Sequence, residues 1–486
     1  MTITLLKGGW VAAWDGSQHQ FFKRGEVAFR GGEILFAGSQ YAGQADVVID
    51  EPEWFICPGF INLHGHVGVD PFAPFVDVPR GGQFAPGPDF VESAPLSMWP
   101  TLTPEEQQLS GEFCLVQMLR TGTTTVVDAH GYGAVWWLGN PPTDEAALAE
   151  TVGRIGSRAY LALGFRSARS YKDEQGRSRQ HWDEEVGKAG LREGLRFALE
   201  HRGRFDGRVQ TLLTPHAVEK LTPELLTMTL NEARGAGLPI EIHVSQSLFE
   251  VQAVRERRGD TPVGFLDSLG FLGPDIILGH CVFVDGHPAV GGDSDRDLRL
   301  IADAGSSVAH APLAFARRDA EALHSLPRYL DHGINVGIGC DIWPGDIISE
   351  MRLAWLMGKH ANQTVDRPTC REVFHAATVG SADALQRSDL GRLAPGAKAD
   401  IVCVDLSGYH FGPVLDPVRA LVSFGTGQDV DTIYVDGGLI VSGGNVLNAD
   451  EEKLRAAAPA IMLKLHQAAA ERDPAGRTAG SILGAG

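Results

Sequence analysis

The feature that most constrains this chain is a rhythm filling its middle: eight short, apolar, β-rich runs, each separated from the next by a stretch with helical signals. The runs are FINLHGH (60–66), TTTVVDAH (123–130), AYLALGF (159–165), VQTLLTPH (209–216), PIEIHVS (239–245), IILGHCV (276–282), SVAHAP (307–312) and NVGIGCD (335–341). Strands alternating with helices read as a parallel sheet, because parallel neighbours cannot be joined by a tight turn. Eight such units predict an α/β fold of the (β/α)8 barrel type. A doubly wound open sheet, the competing architecture, would need two separate sheets to absorb them.

The helical stretches carry their own punctuation. Thr103-Pro104-Glu105-Glu106 offers an N-cap, a proline for the first turn and two acids at the positive helix end, ahead of Leu109, Phe113 and Val116 at helical spacing. Thr222-Pro223-Glu224 opens another helix, with closure expected near Gly235 and Gly237.

The chain ends follow a different pattern. Residues 1–58 and 392–448 hold alternating apolar residues broken by glycine-rich turns, as in EVAFRGGEILFAG and DTIYVDGGLIVSGG, which read as hairpins. Neither piece is large enough for a core of its own. They are expected to fold together into one small β-sandwich beside a barrel spanning 59–391. Residues 449–470 read as an amphipathic helix opening a C-terminal segment, 449–486, whose tail beyond Asp473 is expected to be mobile. Between the first two strands, residues 71–100 are rich in Pro, Gly, Phe and Trp, and a long loop with that many aromatics reads as a lid over a binding site.

The chemistry lies at the strand ends. His64 and His66 are two apart at the end of the first strand, so both can face one metal ion. Taken alone, an HxH pair is more often structural. Here the fourth strand ends in His216, the fifth in His243, the sixth in His280, the seventh in His310 and the eighth in Asp341. In a parallel barrel all these ends lie on one face, where barrel enzymes place their active sites.

These strings resemble a known family. PGFINLHGH (58–66), IEIHVSQ (240–246), GHCV (279–282), VAHAP (308–312) and VGIGCD (336–341) are similar, in order, to the strand-end motifs of the amidohydrolase superfamily. GRLAPGAKADIVCVD (391–405) resembles the segment that returns those chains from barrel to outer sheet. The likeness is greatest to the mononuclear branch of triazine hydrolases, guanine deaminase and S-adenosylhomocysteine deaminases. It implies one divalent metal, Zn2+ by preference with Fe2+, Co2+ or Mn2+ as alternatives, held by His64, His66, His243 and Asp341. Asp341 would also accept the proton of an activated water, and His280 would stabilise developing charge. His216, His310, Trp99 and Trp136 are candidate substrate-binding residues, and a homodimer or larger homo-oligomer is implied. Binuclear relatives carry a lysine at the end of the fourth strand, where this chain has Thr214-Pro215-His216, so one metal is expected.

One departure matters. Ring deaminases of this branch carry a glutamate three residues after the fifth-strand histidine; this chain has Gln246. An amide donates a hydrogen bond but does not shuttle a proton near neutral pH. That favours an amide, urea or (thio)carbamate carbonyl as the point of attack, with Gln246 among the catalytic residues. The alternative is an aminohydrolase or chlorohydrolase acting on a purine, pteridine or s-triazine ring. A non-catalytic assembly protein of the same fold is a third reading, although such proteins lose metal ligands and none is missing here. Glu250 could compensate for Gln246, but is expected on the following helix, facing away. Trp137, next to Trp136 and just beyond Asp128 and His130, could line the pocket or simply pack over the barrel mouth. Arg166 and Arg169 could meet a carboxylate or lie on the surface. Cys57, Cys281 and Cys340, close to the motifs, are expected to fill tight positions.

Bulk properties narrow the partners to a small molecule. A formal charge of −19 opposes binding to nucleic acid or anionic membranes. No run approaches the roughly 18 apolar residues of a membrane span. Six scattered cysteines without a CxxC pair fit reduced thiols, and with no secretory signal the expected location is cytoplasmic. Neither a GxSxG elbow nor a P-loop is present.

Overall fold

A computed structural model describes residues 2–69, 102–129, 143–172, 178–291, 294–318 and 325–470. The expected lid at 71–100, with Trp99, lies outside these residues. So do His130, Trp136, Trp137 and the tail beyond Asp473, and the side chain of Arg169 is likewise not described.

The eight predicted runs form strands β1 (Phe60–Gly65), β2 (Thr123–Asp128), β3 (Arg158–Leu161), β4 (Val209–Thr211), β5 (Ile240–Val244), β6 (Ile276–His280), β7 (Ser307–His310) and β8 (Val336–Ile338). Strands β1 to β4 make one parallel ladder and β5 to β8 a second. Two parallel bridges close the ring: Leu213 to Ile240 joins β4 to β5, and Gly65 to Asp341 joins β8 back to β1. β3 and β4 are shorter than their apolar runs, and each resumes as a two-residue segment, Gly164–Phe165 paired with Thr214–Pro215. Ile61, Leu63, Val127, Tyr160, Leu212, Ile277 and Ala309 meet in one buried cluster. Side chains from so many strands of a closed ring can converge only inside it, so the barrel is filled rather than hollow.

The helix signals act as read. Thr103 caps Pro104–Arg120 with a reciprocal box: its hydroxyl accepts from the Glu106 amide while Glu106 accepts from the Thr103 amide. Thr222 caps Pro223–Ala236, and Gly237 at φ +61° ends it, Gly235 remaining helical. The C-terminal helix, Glu451–Ala470, lays Ile461 and Leu465 against Leu109 and Phe113 of the first barrel helix. After β3 the chain adds a hairpin, Ala168–Lys172 with Ser178–Trp182, that the strand count did not anticipate. Among the described residues no helix is long and apolar enough to cross a membrane.

Both chain ends do fold together, their strands joined in a single nine-stranded hydrogen-bonded sheet. The reason is the twelve-residue strand Val47–Pro58, which pairs in parallel with Ile3–Trp14 and antiparallel with Ile401–Asp405. One strand thereby carries the ladder from the N-terminal to the C-terminal piece without a break. The C-terminal piece also includes a helix, Pro417–Phe424, capped by Asp416, that the hairpin reading overlooked. A buried ion pair fixes this sheet to the barrel. Arg158 of β3 donates from Nε and Nη2 to the two oxygens of Asp400 at 3.0 and 3.1 Å, and Asp400 also accepts the amide of Asp436 at 2.7 Å.

Candidate metal centre

Four groups converge at the C-terminal end of the ring. One ligand atom from each of His64, His243, His280 and Asp341 lies within 4.8 Å of all the others, and all four residues are buried. β1, β5 and β6 supply the imidazoles, and the turn after β8 supplies the carboxylate. The His64 ring centre stands 4.6 Å from that of His243 and 4.5 Å from that of His280.

Local backbone explains how these side chains arrive together. The parallel bridge between Gly65 and Asp341 seats the carboxylate beside the β1 histidines. Asp341 adopts φ +56° and His280 φ +79°, a left-handed region that non-glycine residues enter at a cost and that concentrates at functional sites. Asn62 holds the same corner, its Oδ1 accepting the amide of Cys340 at 3.0 Å.

The donor set fits a metal ion. His64 Nδ1 is hydrogen-bonded to Glu241 Oε1 at 2.8 Å, which leaves Nε2 for coordination. That Nε2 is buried and faces Asp341 Oδ1 at 3.5 Å. A lone pair so placed, among two more imidazoles and a carboxylate, is what a borderline divalent cation requires. His66 sits outside the group of four. It joins the site through Asp341, with Nε2 at 3.0 Å from Oδ1, and its ring lies 5.4 and 5.6 Å from those of His64 and His243. His280, read from sequence as a stabiliser of charge, is by position one of the convergent four.

The electrostatics follow from burial and pairing. Burial works to raise the Asp341 carboxyl, but His280 and hydrogen bonds from His64 and His66 outweigh it and hold that group well below the usual carboxylate range. Burial disfavours charge on His64, yet Glu241 and Asp341 overcome it and raise the imidazole to about 10. Asp128 accepts the Val67 amide at 3.2 Å and is raised by burial to about 6, against the pull of His66.

Among the candidate pocket residues, His216 is brought to the centre, its ring 4.4 Å from that of His243 at 74°. Burial, reinforced by Lys220 and Arg166, depresses it well below the usual imidazole value, so it is neutral. His310 is buried at the end of β7 but stands outside the group of four; burial lowers it to about 4, and neither ring nitrogen has a hydrogen-bond partner. Arg166 is buried beside His216 rather than on the surface. Cys57, Cys281 and Cys340 are buried thiols pushed up by desolvation, in keeping with a packing role.

Two residues need correction. Glu250 does not face away: it is fully buried, and its two oxygens accept the amides of Ser245 and Gln246 at 2.7 and 2.8 Å. Burial and the neighbouring Glu219 raise it well above the ordinary value despite those amides, and it braces the loop that carries Gln246. Glu241 was passed over altogether. Its signal was a charged residue inside the apolar strand IEIHV, two positions before His243 and hence on the same side of the strand.

Known proteins match this arrangement. A family model described as the amidohydrolase family matches residues 55–440. The 5'-deoxyadenosine deaminase of Methanosarcina barkeri is 30% identical over 461 residues, covering 93% of this chain and 96% of the relative. The 5-methylthioadenosine/S-adenosylhomocysteine deaminase of Natronomonas pharaonis is 31% identical over 433 residues, covering 86% and 88%. Among solved structures, an adenosine deaminase from Xanthomonas campestris with bound zinc superposes with a TM-score of 0.77 at 21% identity, covering 95% of this chain and 98% of the other. Atrazine chlorohydrolase from Arthrobacter aurescens, complexed with zinc, gives 0.74 at 22% identity, covering 94% and 100%. A match over most of the length, on a closed barrel whose strand ends gather three histidines and an aspartate, establishes that this chain belongs to the amidohydrolase family of metal-dependent hydrolases.

Proposed function

We propose that the chain is an aminohydrolase that replaces the exocyclic amino group of a heteroaromatic ring, of the purine-nucleoside type, with the oxygen of water. The observation that carries this reading is the end-to-end similarity to deaminases of 5'-deoxyadenosine and of 5-methylthioadenosine/S-adenosylhomocysteine. It reverses the preference for a carbonyl substrate drawn from Gln246 alone.

In this reading His64, His66, His243 and Asp341 would hold one divalent ion, which would supply a Lewis acid and polarise a water. Asp341, kept ionised by its neighbours, takes a proton from the attacking water and passes it to the ring nitrogen beside the carbon that is attacked. His280 donates a hydrogen bond to the entering oxygen. His216, neutral beside His243, offers one ring nitrogen to the substrate. Asp341 then takes the proton of the added hydroxyl and passes it to the amino group. The carbon–nitrogen bond to that group breaks, ammonia leaves, and the ring carbon keeps the oxygen as a carbonyl. Gln246 cannot carry either proton. Glu250 does not carry them, because the loop amides occupy both its oxygens.

A second reading keeps the same centre but directs it at an amide, urea or carbamate carbonyl, and Gln246 is the observation that favours it. A panel separates the two: ammonia release from adenosine, 5'-deoxyadenosine and amino-s-triazines, against amine release from anilides, phenylureas and carbamates. Ammonia from the ring substrates is the expected result. Turnover of the carbonyl compounds alone would overturn the ring reading.

A further inference from the structure

We infer that Glu241 is a positioning residue of the metal centre, a buried carboxylate that orients His64 by a hydrogen bond and places a negative charge close to His243. This rests on the metal-centre reading above and not on the identity of the substrate.

The geometry comes from β5. Glu241 and His243 are two apart on that strand, so both side chains enter the barrel from the same face. Glu241 is fully buried. Its Oε1 is 2.8 Å from His64 Nδ1 on β1, and its Oε2 is 4.0 Å from His243 Nδ1. Oε2 has no hydrogen-bond partner among the described residues. The carboxylate thus lies behind two coordinating rings from strands that are not neighbours in the barrel. It fixes the His64 ring with Nε2 facing the cluster, and a carboxylate in that position increases the electron-donating power of the imidazole.

A second observation shows that the surrounding fold is shaped for this pair. A Cβ at Gly279, on the adjoining strand β6, would fall 2.6 Å from Glu241 Oε1, 3.0 Å from His64 Cε1 and 3.2 Å from His64 Nδ1. Only a glycine leaves room for the carboxylate to reach the imidazole. The register agrees, since His243 pairs with Gly279 across the β5–β6 ladder.

Charge supports the arrangement. A divalent ion in a buried site is costly unless negative groups lie near it. Glu241 places a carboxylate against the His64 ring without occupying a coordination position.

The test compares Zn2+ binding by full-length wild type, E241Q and G279A, using competition with a chromogenic chelator. Thermal unfolding of the metal-free proteins and far-UV circular dichroism report on folding. The wild type is expected to hold one equivalent. Both variants should bind Zn2+ about 10- to 100-fold more weakly while their metal-free forms melt near the wild-type temperature. E241Q keeps the volume and removes the charge, whereas G279A keeps the charge and forces the pair apart. Should either fail to fold, the other still decides the matter. Wild-type affinity in a folded variant would overturn the role of Glu241 while leaving the metal centre intact. A wild type that binds no metal would overturn the centre itself, and this inference with it.

Discussion

The main-chain oxygen of His64 accepts the amide of Asp341 at 2.8 Å, and that of Cys340 at 2.9 Å, so the first and last barrel strands are tied together at the residues that form the centre. Barrel closure and assembly of the donor set are therefore one event. The arrangement explains why the turn after β8 tolerates Asp341 at φ +56°: any relaxation of that residue would open the seam.

Gly339 is the most sensitive point of this seam. A Cβ there would lie 2.6 Å from His64 Cβ, 2.8 Å from its oxygen and 2.9 Å from its nitrogen. Two of these contacts are with backbone, which cannot rotate away. G339A is expected to destabilise the fold by about 1–3 kcal/mol and to lose metal at the same time. Urea unfolding and metal analysis of one preparation check this. A variant that is destabilised yet holds a full equivalent of metal would separate closure from donor assembly.

In the proposed reading Asp341 carries two duties, and a substitution that preserves its shape distinguishes them. D341N keeps the main-chain bond to His64 but removes the negative charge and the capacity to accept a proton. The expected outcome is a folded protein with reduced metal content. When reloaded with excess metal, its kcat should remain roughly 10²- to 10⁴-fold below wild type. Near-normal kcat on reloading would show that Asp341 is not the base.

The eight strands and their terminal histidines were legible because two independent periodicities coincide, apolar runs alternating with helices and a ligand-type residue at the end of most runs. Strand breaks were not legible. Leu212 and Leu213 continue the apolar pattern, yet the ladder lapses there and resumes at Thr214–Pro215. The continuous outer sheet was hidden for a related reason: which partners Val47–Pro58 takes on each edge is a tertiary choice that hairpin signals do not encode. Glu250 shows a third limit. As a carboxylate on the helix after β5 it reads as facing away from the centre, whereas two loop amides draw it inward. Glu241 could have been found by asking why a strand buried at every position contains a carboxylate.

His310 gives the protein an acid limb in its stability. Its imidazole ordinarily titrates at 6.5 but is lowered by burial to about 4 in the fold. The unfolded chain takes up a proton at a pH where the folded chain does not. Stability contributed by the neutral ring is thus complete above about pH 6.5 and is lost as pH falls towards 4. Over that window one such group adds a slope of up to about 1.4 kcal/mol per pH unit. Replacing it as H310N should flatten the urea-unfolding free energy between pH 6.5 and 4 relative to wild type. An unchanged slope would place the ring's proton affinity elsewhere.

Gln246 stands where the resemblance drawn from sequence implies a glutamate, and Q246E asks what that difference does. The residue follows His243 by three, and its amide is anchored at 2.8 Å to Glu250, so a glutamate would enter a loop whose backbone is already fixed. If the protein deaminates rings with Asp341 as its sole proton carrier, a second carrier should raise ammonia release by roughly 10-fold or more. The gain should depend on pH, appearing as the new carboxyl takes up its proton. If the true substrate is a carbonyl compound that Gln246 orients through its amide, the same change should lower kcat/KM for amine release, because a carboxylate no longer donates a hydrogen bond. The two readings therefore predict opposite signs for one substitution. Kinetics indifferent to Q246E on both substrate classes would remove Gln246 from the mechanism and leave substrate choice to other residues around the centre, His216 among them.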